Sequence, residues 1–265
     1  MKELKVLAIG NSFSQDATHY LHQIAKADGI DSKIVNLYIG GCPLETHYNN
    51  IEKNNADYLY EINGVSTDKY VTILEALQEE SWDYIVTQQS SHDSGIQDLY
   101  YPYINLIFDY LKEKLPNAGL RIQQTWAYEI DSSHGCFMRY HRDQKEMYDR
   151  SRTAYQRASK ETGVPLIPCG DAVQTLRTKE PFQYENGGLS LCRDGFHMSY
   201  IYGRYLLAAT WYETLTGNDI RNNTYIPETP FALEDVNRKL LDLIKEVVHE
   251  VADQQNYLRK VPNCQ

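Results

Sequence analysis

Lys5-Val6-Leu7-Ala8-Ile9-Gly10-Asn11-Ser12-Phe13-Ser14-Gln15-Asp16-Ala17-Thr18 is an apolar run that stops at a glycine and two small polar residues before a new pattern begins. A short apolar run, a glycine and then spaced apolar residues is a strand handing over to a helix. Such a junction can cap a helix, cradle an anion or expose a nucleophile. The residues beyond it have to decide among these.

Four further apolar runs resemble the first: Lys33–Tyr38, Tyr84–Thr87, Leu120–Gln124 and Val164–Pro168. Helical periodicity fills the intervals, over Asp16–Ala27, Lys69–Glu80, Tyr103–Leu115 and Met138–Thr162, and two more helices follow over Tyr200–Leu215 and Leu233–Val251. Strands alternating with helices predict an α/β fold, a three-layer α/β/α sandwich around a parallel sheet of about five strands. No linker, repeat or low-complexity segment divides the chain, so residues 1–265 read as one domain. Asn49–Asp68 fits least well and reads as an elaboration beside the opening.

At 265 residues, 42% apolar and 23% charged, the composition is that of a globular protein with a substantial core. A net charge of −10 without a cluster of Lys and Arg argues against nucleic acid or an anionic membrane as partner. No stretch approaches the roughly 18–20 apolar residues of a membrane span. Met1-Lys2-Glu3-Leu4 shows no signal-peptide pattern, so the chain reads as cytoplasmic, or as periplasmic or secreted if a leader has been removed. Five cysteines (Cys42, Cys136, Cys169, Cys192, Cys264) without a CxxC pair make a zinc cage or dense disulfide framework unlike this sequence, while one disulfide is compatible with it. No cofactor is implied, and the scattered His and Asp imply no metal.

Ligands of parallel α/β sheets sit outside the carboxyl ends of the strands. Here those ends carry Gly10-Asn11-Ser12, Gly40-Gly41-Cys42, Gln88-Gln89-Ser90-Ser91-His92, Thr125-Trp126-Ala127-Tyr128 and Cys169-Gly170-Asp171. A serine nucleophile needs a histidine, and the histidine a carboxylate. Among eight histidines, His197 stands out, in a polar loop with Asp194 three residues ahead and Gly195 between them. One tight turn at that spacing sets the carboxylate beside the imidazole.

Gly10-Asn11-Ser12-Phe13-Ser14 together with Asp194-Gly195-Phe196-His197 resembles the SGNH (GDSL-type) hydrolase superfamily. More narrowly, Trp82-Asp83-Tyr84-Ile85-Val86-Thr87-Gln88, Thr125-Trp126-Ala127-Tyr128 and Gly203-Arg204-Tyr205 resemble a bacterial SGNH-like subgroup common in gut Bacteroidetes. The resemblance implies a flavodoxin-like sandwich and ester hydrolysis through an acyl-enzyme, with Ser12 as nucleophile, His197 as base and Asp194 as its orienter. It implies oxyanion donors from the backbone of Ser12 and of Gly41, with Gly40 next in line. It also implies a small-molecule or saccharide ester as substrate, with deacetylation of a carbohydrate as the expected reaction.

The usual third oxyanion donor, an asparagine, is absent: the ungapped alignment puts His92 there. Gln88 is the favoured replacement, with Gln89 and His92 behind it. Bland readings stand beside these. Ser14 and Asp16 suit the helix cap, which frees Ser12, and Ser199 suits the cap of the later helix. Trp126 and Tyr128 read equally as packing and as substrate contacts. His92-Asp93 is a rival base–carboxylate pair, and the segment with His134, Arg139, His141 and Arg142 reads as a lid over the site or as a solvated loop, the loop being preferred. The competing functions are a non-catalytic glycan-binding protein, motivated by the missing asparagine, and a phosphate- or flavin-binding protein using Gly10–Ser14 as a cradle.

Overall fold

The computed structural model describes residues 3–228 and 236–260. Its strands are β1 (Glu3–Gly10), β2 (Asp31–Tyr38), β3 (Tyr58–Ile62), β4 (Val65–Val71), β5 (Tyr84–Thr87), β6 (Gly119–Gln123) and β7 (Leu166–Ile167). They form one sheet in the order β4-β3-β2-β1-β5-β6-β7. The five runs read from sequence are its parallel part, β2-β1-β5-β6-β7.

The sheet therefore differs from the expected five parallel strands: β3 and β4 add an antiparallel hairpin to the β2 edge. Its turn is Asn63-Gly64, both at positive φ (53° and 80°), the two-residue connection whose twist suits a hairpin. Gly64 is required twice over, since a Cβ there would also stand 2.2 Å from the His19 carbonyl oxygen. Asn49–Asp68 is thus the end of a helix plus most of this hairpin.

Nine helices are described: α1 (Ser12–Thr18), α2 (Leu21–Ala27), α3 (Leu44–Lys53), α4 (Ile73–Glu79), α5 (Tyr103–Lys114), α6 (Gln144–Thr162), α7 (Cys169–Leu176), α8 (Tyr202–Thr216) and α9 (Arg238–Lys260). Successive residues of β1 face opposite layers. Val6 and Ala8 pack with α1, α2, α7, α8 and α9, whereas Leu7 and Ile9 pack with α3, α4 and α5. Val6, Leu7 and Ile9, fully withdrawn from water, each stabilise the fold by roughly 1.5–3 kcal/mol.

Several expected boundaries move. Asp16–Ala27 breaks at His19–Tyr20 into α1 and α2, and Lys69–Val71 belong to β4 rather than to the next helix. That helix starts only after Thr72, whose side chain accepts from Glu75 N–H while Glu75 answers the Thr72 N–H. Met138–Thr162 becomes helical at Gln144, behind a separate 3₁₀ turn over Gly135–Tyr140. α3 and α7, unexpected from sequence, are short. The expected start of the last helix at Leu233 lies outside the described residues, as does Cys264; Cys42, Cys136, Cys169 and Cys192 are free. Among the described residues no helix is long and apolar enough to cross a membrane.

Candidate active site

β1 ends on Gly10 because nothing larger fits: a Cβ there would lie 2.4 Å from Ser14 Oγ and 2.9 Å from Gln88 Nε2. The next residue, Asn11, is the cap of α1. Its Oδ1 accepts from Phe13 N–H at 3.0 Å, and Ser14 Oγ accepts from Asn11 N–H at 3.1 Å. Ser14 shares the capping as expected, but the cap itself is Asn11 and not Asp16. With the capping done by these neighbours, Ser12 is left half-buried at the first helical position with its hydroxyl free to point elsewhere. Its backbone N–H, the first of the helix, has no intrahelical acceptor.

That hydroxyl meets His197. Ser12 Oγ lies 2.8 Å from His197 Nε2, and His197 Nδ1 lies 2.7 Å from Asp194 Oδ2. With the proton on Nδ1 donated to the carboxylate, Nε2 is free to accept from the serine hydroxyl. The loop that brings them is a miniature hairpin, closed by a bridge between Cys192 and Met198 and by Arg193 N–H donating to the His197 carbonyl at 2.9 Å. Within it, Asp194 Oδ1 accepts from the N–H groups of Phe196 (3.2 Å) and His197 (2.8 Å). Partial burial pushes the Asp194 carboxyl upward. The donors from the His197 ring and backbone and from Phe196 outweigh it and hold the group below the ordinary aspartate value.

Two ties lock this loop to α1. Asp16, fully buried, receives Arg193 Nη1 (2.9 Å), Arg204 Nε (2.8 Å) and Met198 N–H (2.9 Å). Trp126 stacks on Phe13 with ring centroids 4.0 Å apart and donates its Nε1–H to the Phe196 carbonyl at 2.8 Å. The Trp126 tie is the packing alternative of the sequence reading, whereas the Asp16 clamp is not among the expectations: from sequence Asp16 suits the helix cap, and Arg204 stands in a motif without a task. A buried carboxylate one helical turn past the serine, with two arginines flanking the base loop, was the available signal.

The oxyanion candidates divide. Gly40 and Gly41 form an exposed turn after β2, and neither donates its N–H within the protein among the described residues. Asn11 pins that turn, because its Nδ2 donates to the Cys42 carbonyl at 3.1 Å. Gln88 is buried and donates from Nε2 to Asn11 Oδ1 at 3.1 Å, bracing the residue that pins the turn, while its Oε1 has no partner among the described residues. Gln89 is fully committed: its Oε1 accepts from Leu44 and Ser90 N–H, and its Nε2 donates to the Leu99 carbonyl. A buried amide that spends its hydrogen bonds locally in this way leaves Gln89 none to offer an oxyanion. His92 alone of the three keeps a partly exposed ring, with side-chain exposure of 25%.

Trp126 and Tyr128 are buried, and their polar atoms are satisfied inside, Tyr128 OH sharing a 2.9 Å hydrogen bond with Ser91 Oγ. They are packing residues that hold the walls and offer substrate no open face. The segment read as a solvated loop is in fact docked. Phe137 and Tyr140 are fully buried, Arg139 pairs with Asp93, and Tyr140 OH donates to the His92 carbonyl at 3.1 Å. Asp93 gives Oδ1 to Arg139 and holds Oδ2 3.5 Å from His92 Nε2, and the serine beside this pair is Ser90, whose Oγ lies 3.4 Å from His92 Nε2 and 3.3 Å from Asp93 Oδ2. His134, on the same segment, packs against Tyr128 and Phe196 with centroids 4.8 Å and 4.9 Å away. Burial, then the nearby His92 and His197, lower its pKa.

Residues 5–250 match the family model of the domain of unknown function DUF4886. A DUF4886 family protein from Bacteroides uniformis is 36% identical, over 99% of this chain and 98% of that one, with a TM-score of 0.87. A protein from Slackia heliotrinireducens described as an SGNH hydrolase superposes with a TM-score of 0.53 at 22% identity, over 79% of this chain and 97% of that one. An acetylxylan esterase from Geobacillus stearothermophilus does so with a TM-score of 0.51 at 14% identity, over 85% and 97%. No curated protein matches.

Proposed function

The chain belongs to the DUF4886 family and has the fold of the SGNH hydrolases, and from that premise we propose that it is a serine esterase that removes small acyl groups, acetyl foremost, from a carbohydrate. The observation that carries this reading is the 2.8 Å contact between Ser12 Oγ and His197 Nε2, continued at 2.7 Å to Asp194. His197 takes the proton as Ser12 Oγ attacks the ester carbonyl, and Asp194 balances the imidazolium. The N–H groups of Ser12 and Gly41, with Gly40 as the neighbouring donor, receive the oxyanion, at roughly 3 kcal/mol per donor. As the tetrahedral intermediate collapses, His197 returns the proton to the departing alcohol. Water, deprotonated by the same histidine, then releases the acid from Ser12. The acetyl and carbohydrate parts of the reading draw on the fold shared with an acetylxylan esterase.

The missing asparagine and the engagement of Gln89 favour a second reading, a glycan-binding protein that lacks a full oxyanion hole. An acetate-release screen over acetylated oligosaccharides separates the two. The esterase reading predicts release by the wild type and a loss of about a thousandfold or more in Ser12→Ala. Oligosaccharide binding by both proteins without release from any ester would support the second reading.

A further inference from the structure

Two further imidazoles stand beside the loop of Asp194 and His197, and the hydrolysis proposed above gives neither a role. The His134 ring meets Phe196 edge-on with centroids 4.9 Å apart, and Phe196 and His197 are 4.2 Å apart by the same measure. The His92 ring runs nearly parallel to that of His134, with 16° between their planes and 6.4 Å between centroids. The row His197, Phe196, His134, His92 thus leads away from the histidine that returns a proton to the departing alcohol. Its two outer rings are partly exposed.

Hydrogen bonds inside the protein fix which nitrogen of each ring is left over. His134 Nδ1 accepts from Cys136 N–H at 3.2 Å, capping the 3₁₀ turn that follows. Burial, then His92 and His197, hold His134 below the ordinary histidine value, so the ring is neutral at pH 7 and its one proton sits on Nε2. On His92 the engaged nitrogen is Nε2, 3.5 Å from Asp93 Oδ2 and 3.4 Å from Ser90 Oγ. The proton belongs there, beside the carboxylate, which leaves Nδ1 of the neutral ring as an acceptor. Among the described residues no hydrogen bond reaches His134 Nε2 or His92 Nδ1, and the sealed atoms without a partner include neither, so both are open to solvent. An anion would ask for an N–H from each ring, and a cation for a lone pair from each. One donor beside one acceptor suits hydroxyl groups, which accept from the first and donate to the second. Packing accounts for neither nitrogen, since an apolar ring would fill the same space against Tyr128 and Phe196.

We propose that His134 and His92 form the subsite for the leaving alcohol and recognise its free hydroxyl groups, His134 Nε2–H donating to one and His92 Nδ1 accepting from another. The place of this contact in the reaction rests on the esterase reading; the binding does not. Kinetics on a partly acetylated oligosaccharide and on 4-nitrophenyl acetate, whose leaving group carries no such hydroxyl, test it through the ratio of the two kcat/KM values. His134→Phe and His92→Phe keep a ring in place, and each should lower that ratio about tenfold, through KM on the oligosaccharide, the scale of one hydrogen bond. His134→Gln, whose amide offers an N–H in place of Nε2–H, should hold the ratio within about threefold of the wild type. An unchanged ratio in either phenylalanine variant, or a ratio in His134→Gln as low as in His134→Phe, overturns the proposal. Calorimetric titration of the Ser12→Ala protein with the deacetylated oligosaccharide separates it from the esterase reading. Binding that His134→Phe weakens about tenfold upholds the subsite even where no ester is cleaved, whereas no binding, or binding that His134→Phe leaves unchanged, overturns it.

Discussion

At the scale of single residues, the candidate site depends on side chains buried behind it. Trp126 shows this best. Its ring supports Phe13, beside the serine, and its N–H holds the Phe196 carbonyl, beside the histidine. Trp126→Phe keeps the stack and removes the hydrogen bond. It should lower kcat several-fold with KM unchanged, since about 1 kcal/mol of positioning is lost and no substrate contact is. A rise in KM alone would assign Trp126 to the substrate after all. Asp194→Asn tests the orienter more severely: an amide favours the wrong imidazole tautomer, and kcat should fall by about 10³–10⁴. The residues of this chain of contacts were legible in the sequence because Asp194 and His197 are near neighbours and Ser12 stands at a strand end. Trp126 stays open between packing and substrate contact in the sequence because its residue type suits a core and a site equally. Only its partners decide.

At the scale of elements, α1 is held from two sides. The hairpin of β3 and β4 reaches it through a buried polar chain: Ser14 Oγ meets Asn36 Oδ1 at 2.6 Å, Asn36 Nδ2 donates to Glu61 Oε2 at 2.6 Å, and Gln15 Nε2 donates to Glu61 Oε1 at 2.5 Å. Burial raises the Glu61 pKa, against the amide donors. Asn36→Ala strands the Glu61 carboxylate and should cost about 2–3 kcal/mol, read as a lower melting temperature, together with a fall in kcat as α1 loosens. From the other side Asp16 clamps the base loop and α8. Asp16→Ala leaves Arg193 and Arg204 without their anion and should cost about 3–5 kcal/mol, measured by denaturant unfolding. The hairpin escaped sequence reading although Asn63-Gly64 is a strong turn signal. β4 is largely exposed and polar, without the apolar run by which the other strands were found. The break between α1 and α2 was equally hidden, because the apolar spacing runs through it.

At the scale of the whole molecule, buried histidines tie the fold to pH. Burial lowers His47 to about 3, and burial with the nearby Arg204 charge lowers His19 to about 4. Free histidine titrates near 6.5. Between those values the unfolded chain binds protons that the folded chain refuses, so stability falls as pH falls from about 6.5 toward 4. Melting temperatures measured across that window should decline, and His19→Gln should flatten the slope by about 1–2 kcal/mol. The layered architecture itself was readable, since five buried strands alternating with helices admit few other folds. The order β2-β1-β5-β6-β7 brings Ser12, the Gly40-Gly41 turn and the loop of Asp194 and His197 to one edge of the sheet. Whether that edge does chemistry is tested most directly by a fluorophosphonate probe, with the labelled site located by peptide mass spectrometry. Stoichiometric labelling at Ser12 is expected, with labelling lost in Ser12→Ala and greatly slowed in His197→Ala. Absence of label at Ser12 in the folded wild-type protein would contradict the account.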